Sequence, residues 1–275
     1  LDGMLDLYDQ HGTHLAYDDD CCGDPGNPLL ITYDITESGY YYVQARSWDS
    51  RIGVYEISAS LETIELSQWN AVDAGDYHTL GIQDDGTLWA WGHGGHGRLG
   101  LGDDFDQDRP QRVSSDTGWW RVAGGEAHSL ALKDDGTLWS WGYNDNGRLG
   151  LGDYDSHDTP QQVGTDTDWN TVSASLYHSL AIKNDGTLWA WGYNDNGQLG
   201  LGDMDNHSNP QRVGSDTDWM AIGGGGWHHS GALKDDGTLW KWGGDDAALD
   251  CDAVDCTYPQ QKESATNWTA ITVSS

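Results

Sequence analysis

The chain has 275 residues, of which 36% are hydrophobic, and this is ample for a buried core. Its 45 acidic and 13 basic residues give a formal net charge of −32 at pH 7, which excludes charge-driven binding to nucleic acid or to an anionic membrane. No apolar run reaches the length of about 18 residues that a membrane-spanning helix needs, so no membrane insertion is predicted.

Residues 1–61 are predicted to form a small all-β domain, and residues 62–67 a short linker. Short runs with alternating polarity or β-branched and aromatic residues indicate strands, and Gly-, Asp- and Ser-containing turns separate them. The predicted strands are Met4–Tyr8, Thr13–Tyr17, Leu29–Ile35, Tyr40–Arg46 and Val54–Ala59.

Three phrases in this region carry a family resemblance: L-D-L-Y-D-Q-H-G-T-H-L-A-Y-D-D-D, S-G-Y-Y-Y-V-Q-A-R-S and G-V-Y-E-I-S-A. They resemble the second half of a bacterial pre-peptidase C-terminal (PPC) domain, a small β-sandwich appended to secreted proteins. The resemblance implies a partial PPC-like sandwich over residues 1–61. It also implies a secreted protein, extracellular or on the cell surface.

Within this domain, four aspartates lie close together in the sequence beside a cysteine pair. Carboxylate oxygens are the ligands that calcium prefers. We therefore predict calcium as the one cofactor of the chain. The residues concerned are Asp18, Asp19, Asp20 and Asp24.

The four cysteines lie in Asp-rich, Gly-rich or irregular segments rather than in predicted strands. An even number of loop cysteines in a β protein of secreted type favours disulfides. Zinc is the competing interpretation, but the spacing lacks the usual C-x2-C pair. Cys251 and Cys256 are expected to bridge each other, whereas the adjacent Cys21 and Cys22 are expected to reach another loop or chain.

From residue 62 onward the sequence is repetitive. The phrase D/N-D-G-T-L-W-x-W-G begins at residues 84, 134, 184 and 235, a spacing of 50, 50 and 51 residues. Such a period indicates one supersecondary unit copied and stacked, because one copy cannot bury its own apolar face.

Each copy is predicted to contain four strands, the size of a propeller blade. Alternating runs flank each Asp-Gly pair and indicate a hairpin with a type I′ turn. First strands are expected to begin at Trp69, Trp119 or Trp120, Trp169 and Trp219, and again at Trp268. Outer strands are expected at Pro110–Val113, Pro160–Val163 and Pro210–Val213.

The hairpin phrase, the strand H-S-L-A-L, the turn N-x-x-G-x-L-G-L-G-D and the closing P-x-x-V resemble the RCC1 repeat family in its bacterial form. The resemblance implies RCC1-like β-propeller blades over residues 62–275. The fourth copy departs from the pattern, because its loop after Gly243 has been rebuilt. Family members usually form seven blades, so four copies plus Trp268–Ser275 are expected to leave open edges.

No catalytic constellation is visible, and the protein is expected not to be an enzyme. One histidine recurs in every copy before an inner strand, which favours packing and hydrogen bonding over catalysis. Acidic tracts after each L-G-L-G are interpreted as solvated turns, and the pair His93 and His96 as surface side chains. The recurring histidines are His78, His128, His178, and His228 or His229.

We therefore expect a secreted, non-enzymatic, all-β protein of structural or interaction type. One hypothesis is self-association into extracellular filaments through open β edges. The alternatives are a propeller module that recognises an extracellular protein or a glycan, and an accessory region of a larger secreted hydrolase.

Overall fold

A computed structural model describes residues 3–8, 14–19, 42–47, 68–225, 228–244, 255–262 and 268–271. The chain divides into two compact units, Leu1–Ile64 and Glu65–Ser275. In the first unit, strands β1 (Gly3–Tyr8), β2 (His14–Asp19) and β3 (Tyr42–Ser47) form an antiparallel sheet with β1 in the middle. The predicted strands Leu29–Ile35 and Val54–Ala59 lie outside the described residues. No helix in the described residues is long and apolar enough to cross a membrane.

The second unit contains four four-stranded antiparallel sheets, each with its strands in sequence order. These sheets are the predicted blades. Blade 1 consists of β4 (Trp69–Ala74), β5 (His78–Gln83), β6 (Leu88–Gly92) and β7 (Gln107–Arg112); blade 2 of β8 (Trp119–Gly124), β9 (His128–Lys133), β10 (Leu138–Gly142) and β11 (His157–Gln162); blade 3 of β12 (Trp169–Ala174), β13 (His178–Lys183), β14 (Leu188–Gly192) and β15 (His207–Arg212); blade 4 of β16 (Trp219–Gly225), β17 (His229–Lys234), β18 (Leu239–Trp242) and β19 (Gln260–Gln261).

The apolar cores lie between blades, and the first strands β4, β8, β12 and β16 pack in succession. Each core cluster combines the inner strands of one blade with indoles of the next, as Leu80 and Leu88 of blade 1 do with Trp119 and Trp141 of blade 2. Trp141, Trp191 and Trp242 are fully buried. A blade therefore reaches its stable packing only beside its neighbour.

The hairpin turn differs from the predicted type I′. Gly136 has φ +80°, but Asp135 is not among the residues with positive φ. The N–H of Gly136 donates to the carbonyl of Lys133, so a four-residue turn ends in a left-handed glycine. Asp135 instead accepts hydrogen bonds from the N–H and hydroxyl of Thr137, and the Thr137 hydroxyl accepts one from the Trp139 indole. The phrase D-G-T-L-W is thus a turn with its own side-chain cap.

Two strand predictions were wrong in detail. The outer strands begin three residues before the predicted prolines, because their pairing with the third strand continues past a bulge opposite residues such as Trp141. They end one residue before the valines at which they were predicted to end. Residues 268–271 form no strand, although one was predicted from Trp268. First strands such as β16 pair with the second strand of their own blade, and this segment has no such partner among the described residues.

Neighbouring blades are joined by a repeated hydrogen-bond relay. The carbonyl of Arg148 accepts the hydroxyl of Ser179 at 2.8 Å and the indole N–H of Trp191 at 2.9 Å, both from the next blade. Because the only hydroxyl hydrogen of Ser179 is used in this way, the Nε2 of His128, 2.9 Å away, must be the donor to Ser179. The carbonyls of Arg98 and Gln198 accept the equivalent groups of blades 2 and 4.

The relay confirms the packing and hydrogen-bonding role predicted for His78, His128 and His178. Burial, followed by the positive charge of Arg148, lowers the pKa of His178 to about 3. Burial, followed by Arg98, does the same to His78. These imidazoles are therefore neutral donors at physiological pH.

A second recurring contact holds a lysine between two indoles. The Nζ of Lys183 lies 4.7 Å from the ring of Trp169 and 4.8 Å from that of Trp189, and 2.5 Å and 3.0 Å from carboxylate oxygens of Asp166 and Asp168. Burial lowers the pKa of Lys183, but these hydrogen bonds outweigh burial and raise it above its ordinary value. Lys234 repeats the arrangement, and Lys133 repeats it with the single carboxylate of Asp116, whereas blade 1 has Gln83 at this position.

Despite its rebuilt loop, blade 4 keeps the backbone acceptor that blades 2 and 3 offer to the motif glycine of the preceding blade. The N–H of Gly102 donates to the carbonyl of Asp158, and that of Gly152 to Ser208; Gly202 donates in the same way to Thr257, at 2.9 Å. The adjacent Cys256 is buried and disulfide-bonded. The other three cysteines lie outside the described residues, so the pairing of Cys256 with Cys251 stays a prediction.

We predict that Ser179→Ala destabilises the propeller unit by about 1–3 kcal/mol, because it leaves the buried His128 Nε2–H without an acceptor. Urea unfolding measures the change. Ser115→Ala, at an exposed serine, is the matched control and should stay within about 0.5 kcal/mol of the native chain. Equal losses in the two variants would contradict the relay.

We also predict that acidification destabilises the fold through the buried histidines. Their folded pKa lies below the unfolded value, so their stabilising contribution is complete above pH 6.5 and is lost as pH falls toward 3. Within that window, each histidine lowers the free energy of unfolding by up to about 1.4 kcal/mol for each pH unit of acidification. Urea unfolding at two pH values in this window should show that acidification lowers the free energy of unfolding less for His178→Gln than for the native chain. His93→Gln, at an exposed histidine, should behave like the native chain; an unchanged slope for His178→Gln would refute the assignment.

Candidate interaction surface

Each blade presents two ends. One end carries the loops between its first and second strands and between its third and fourth strands; we call it the histidine face, because β5, β9 and β13 begin there with the relay histidines. The other end carries the Asp-Gly turns and the connections between blades; we call it the hairpin face. The two faces expose different chemistry.

The histidine face of blades 1–3 carries a line of aromatic side chains, which we call the aromatic row. The ring of His96 lies 4.5 Å from that of Tyr143, and Tyr177 lies 5.9 Å from Tyr193 in an edge-to-face contact. Tyr77 packs edge-to-face against His93 at 6.3 Å. The row consists of Tyr77, His93, His96, Tyr143, Tyr177 and Tyr193.

Two buried guanidinium groups lie within this row. The guanidinium carbon of Arg148 is 5.0 Å from the ring centres of both Tyr143 and Tyr177, and Arg148 donates to the carbonyl of Leu176. Arg98 lies 5.8 Å from Tyr77 and donates to the carbonyl of Glu126. Burial lowers the pKa of both arginines, although nearby Glu126 opposes the shift. The cations hold the rings and the neighbouring blade together.

Carboxylates border the same rings. The hydroxyl of Tyr143 donates to Asp145, and that of Tyr193 donates to Asp195 at 3.1 Å. The hydrogen bond to Asp145, with burial, raises the pKa of Tyr143; burial, with the bond to Asp195, raises that of Tyr193. Both phenols therefore remain neutral hydrogen-bond donors.

The backbone of the acidic tracts is organised by their first aspartate. Asp153 accepts hydrogen bonds from the side chain of the buried Asn144 and from the N–H of Asp155. Asp203 does the same for Asn194 and Asp205. In the part of the chain that the structure describes, no group of three or more His, Cys, Asp or Glu residues is placed to hold a metal ion.

The predicted calcium residues are only partly described. Asp18 and Asp19 lie in β2, where they pair with Leu5 and Met4 of β1. Asp20 and Asp24 lie outside the described residues, as do Cys21 and Cys22. Calcium binding at this position stays a prediction.

Sequence reasoning missed the aromatic row and interpreted His93 and His96 as surface side chains. Five of its six members occupy two positions per repeat, immediately before the relay histidine and just after the W-G pair, and His96 lies three residues after the second of these positions. At these positions the copies differ, as Tyr77, Ala127 and Tyr177 show, whereas the adjoining residues recur. That local variation between otherwise equal copies is the signal that could have marked the face.

Comparison with known proteins agrees with the fold. The sequence model described as the RCC1-like domain matches residues 56–274. The ultraviolet-B receptor UVR8 of Arabidopsis thaliana is 34% identical over 102 residues, which are 35% of this chain and 22% of the receptor. The human probable E3 ubiquitin-protein ligase HERC3 is 47% identical over 45 residues, which are 16% of this chain and 4% of the ligase.

Among solved structures, Prp20p of Saccharomyces cerevisiae is similar with a TM-score of 0.65 and 24% identity, over 74% of this chain and 52% of that one. Prp20p is known for its binding to Gsp1p and histones. Human WBSCR16 is similar with a TM-score of 0.61 and 25% identity, over 71% of this chain and 52% of that one. The chain thus spans about half the length of these structures and less than a quarter of either curated relative.

Proposed function

Because the chain belongs to the RCC1-like domain family, we propose that it is a non-enzymatic propeller module that recognises a partner protein through its histidine face. The observation that carries the proposal is the aromatic row. Tyrosine and arginine are enriched where proteins recognise each other, because they combine a large apolar surface with hydrogen-bonding groups. Tyr77, at 61% exposure, is available for such contacts.

The solved relatives support the class of partner by analogy. Prp20p binds Gsp1p and histones, and a second structure shows yeast RCC1 (Prp20) with Kap60 bound. All these partners are proteins. The overlap with an E3 ligase covers 4% of that enzyme and carries no catalytic activity over to this chain. The charge of −32 argues against a nucleic-acid partner here.

The disulfide at Cys256 supports the secreted or cell-surface location that we propose for the protein. Disulfides persist in oxidising compartments and are rare where thiols are kept reduced. The PPC-like nature of residues 1–61, the bacterial type of the repeats, recognition of a glycan and an accessory role in a secreted hydrolase stay predictions.

Partner capture tests the proposal. The immobilised chain should retain a protein from extracts or culture medium of its source, and the double variant Tyr177→Ala/Tyr193→Ala should lose it. The control Asn170→Ala/Met220→Ala alters a cleft of about 400 Å³ on the hairpin face and should retain the protein. Reconstitution with the purified partner should give a dissociation constant at least tenfold weaker for the tyrosine variant. Equal retention by all three chains would refute recognition through the histidine face.

Self-association remains a second proposal, and Trp268 supports it. Its side chain is 40% exposed. Ile271, three residues on, lines a cavity together with Val122, Val172 and Ile222, which hold the same position after Trp119, Trp169 and Trp219. The segment thus lies where a further first strand would lie.

Deleting residues 267–275 should shorten any long assemblies seen by light scattering while leaving the circular dichroism of the blades unchanged. A native chain that is monomeric at high concentration, with and without this segment, would exclude filaments.

A further inference from the structure

We propose that the aromatic row and its carboxylates bind a cationic, arginine- or lysine-rich segment of the partner protein. This inference rests on the proposed function, because it names the chemistry of the partner at the same face. The proposed ligand is a positively charged peptide segment whose side chains stack on the tyrosines and pair with Asp145 and Asp195.

The chain itself shows that these rings hold a guanidinium. Arg148 lies 5.0 Å from both Tyr143 and Tyr177, with only 1% of its surface exposed. Attraction between a guanidinium and a ring face is strongest where water is excluded. A partner's arginine on the open side of the same rings would find the same chemistry.

The hairpin face provides an independent example with an ammonium group. There Lys183 is held by two indoles and two carboxylates, and Lys234 by an equivalent set. In these two places the protein combines ring faces with aspartates to hold a cation. The histidine face repeats that combination at Tyr143 with Asp145 and at Tyr193 with Asp195, with the carboxylates exposed to solvent.

Tyr193 differs from the other tyrosines of the row in the cations that lie near its ring. In blades 1 and 2 an arginine, Arg98 or Arg148, lies at the base of the row, whereas blade 3 has Gln198 there. Within the described ranges, no arginine or lysine is placed over the ring of Tyr193. A guanidinium from the partner can supply at Tyr193 the contact that Arg148 makes at Tyr143.

Charge complementarity favours a cationic occupant over others. The chain has a net charge of −32, and exposed or half-buried carboxylates surround the row on the same face. An acidic segment would be repelled, whereas a basic one would be steered toward the face. These carboxylates include Asp76, Asp103, Glu126, Asp155 and Asp205.

The test measures binding of a short fluorescent arginine-rich peptide by anisotropy at about 0.15 M salt, where long-range charge effects are screened. A peptide of equal length with citrulline in place of arginine reports the requirement for charge. The double variant Asp145→Asn/Asp195→Asn is compared with Asp84→Asn/Asp134→Asn. The second variant also removes two negative charges, but from exposed turns of the hairpin face. We expect at least fivefold weaker binding for the first pair and less than twofold change for the second.

A ring test separates stacking from charge alone. Tyr193→Phe keeps the ring and should bind within about twofold of the native chain, whereas Tyr193→Leu should bind several-fold more weakly. Circular dichroism and urea unfolding establish that both variants are folded.

Equal weakening by the two aspartate pairs would mean diffuse charge attraction and would overturn the site. Absence of peptide binding at this salt concentration would also overturn it. If the chain nevertheless captures a partner that the Tyr177→Ala/Tyr193→Ala variant loses, recognition through the histidine face stands and only its cationic chemistry is refuted. Loss of both peptide binding and partner capture would refute the two together.

Discussion

One backbone oxygen per junction holds the blades together. The carbonyls of Arg98, Arg148 and Gln198 each accept a serine hydroxyl and an indole N–H from the following blade. A buried carbonyl with two donors has both lone pairs satisfied, so this oxygen can lie away from water without an unmet hydrogen bond. The indole that reaches this oxygen also fills the apolar core between the blades, which couples polar and apolar packing in one residue.

Other features of the repeat follow from that contact. The Trp191 indole approaches Gly150 so closely that a Cβ there would lie 2.8 Å from its nitrogen, and Gly150 also has φ +74°. The serine hydroxyl leaves its imidazole partner only the role of donor, which fixes a neutral tautomer. The L-G-L-G phrase and the H-S pair are thus two halves of one junction, contributed by successive blades.

The repeat made the blades predictable, because period, alternation and tryptophan spacing all indicate the same unit. The hairpin type was predicted wrongly, since Asp135 acts as a cap for Thr137 and leaves the left-handed conformation to Gly136 alone. The aromatic row was not predictable from composition, because its rings come from three blades and meet only when the junctions align them. The repeat pattern describes what the copies share, whereas the proposed binding surface arises where they differ.

The fourth blade shows that one contact between blades needs no particular side chain on its acceptor residue. Asp158, Ser208 and Thr257 have different side chains, and the loop before Thr257 has a different sequence, yet each supplies a backbone carbonyl to the preceding blade's glycine. This contact between blades is made by main-chain atoms alone. A loop of different sequence can therefore replace the native one at this site, provided that its end is held in place, as the disulfide-bonded Cys256 is here. The repeat can thus serve as a scaffold that displays new loops without changes to the contacts between blades.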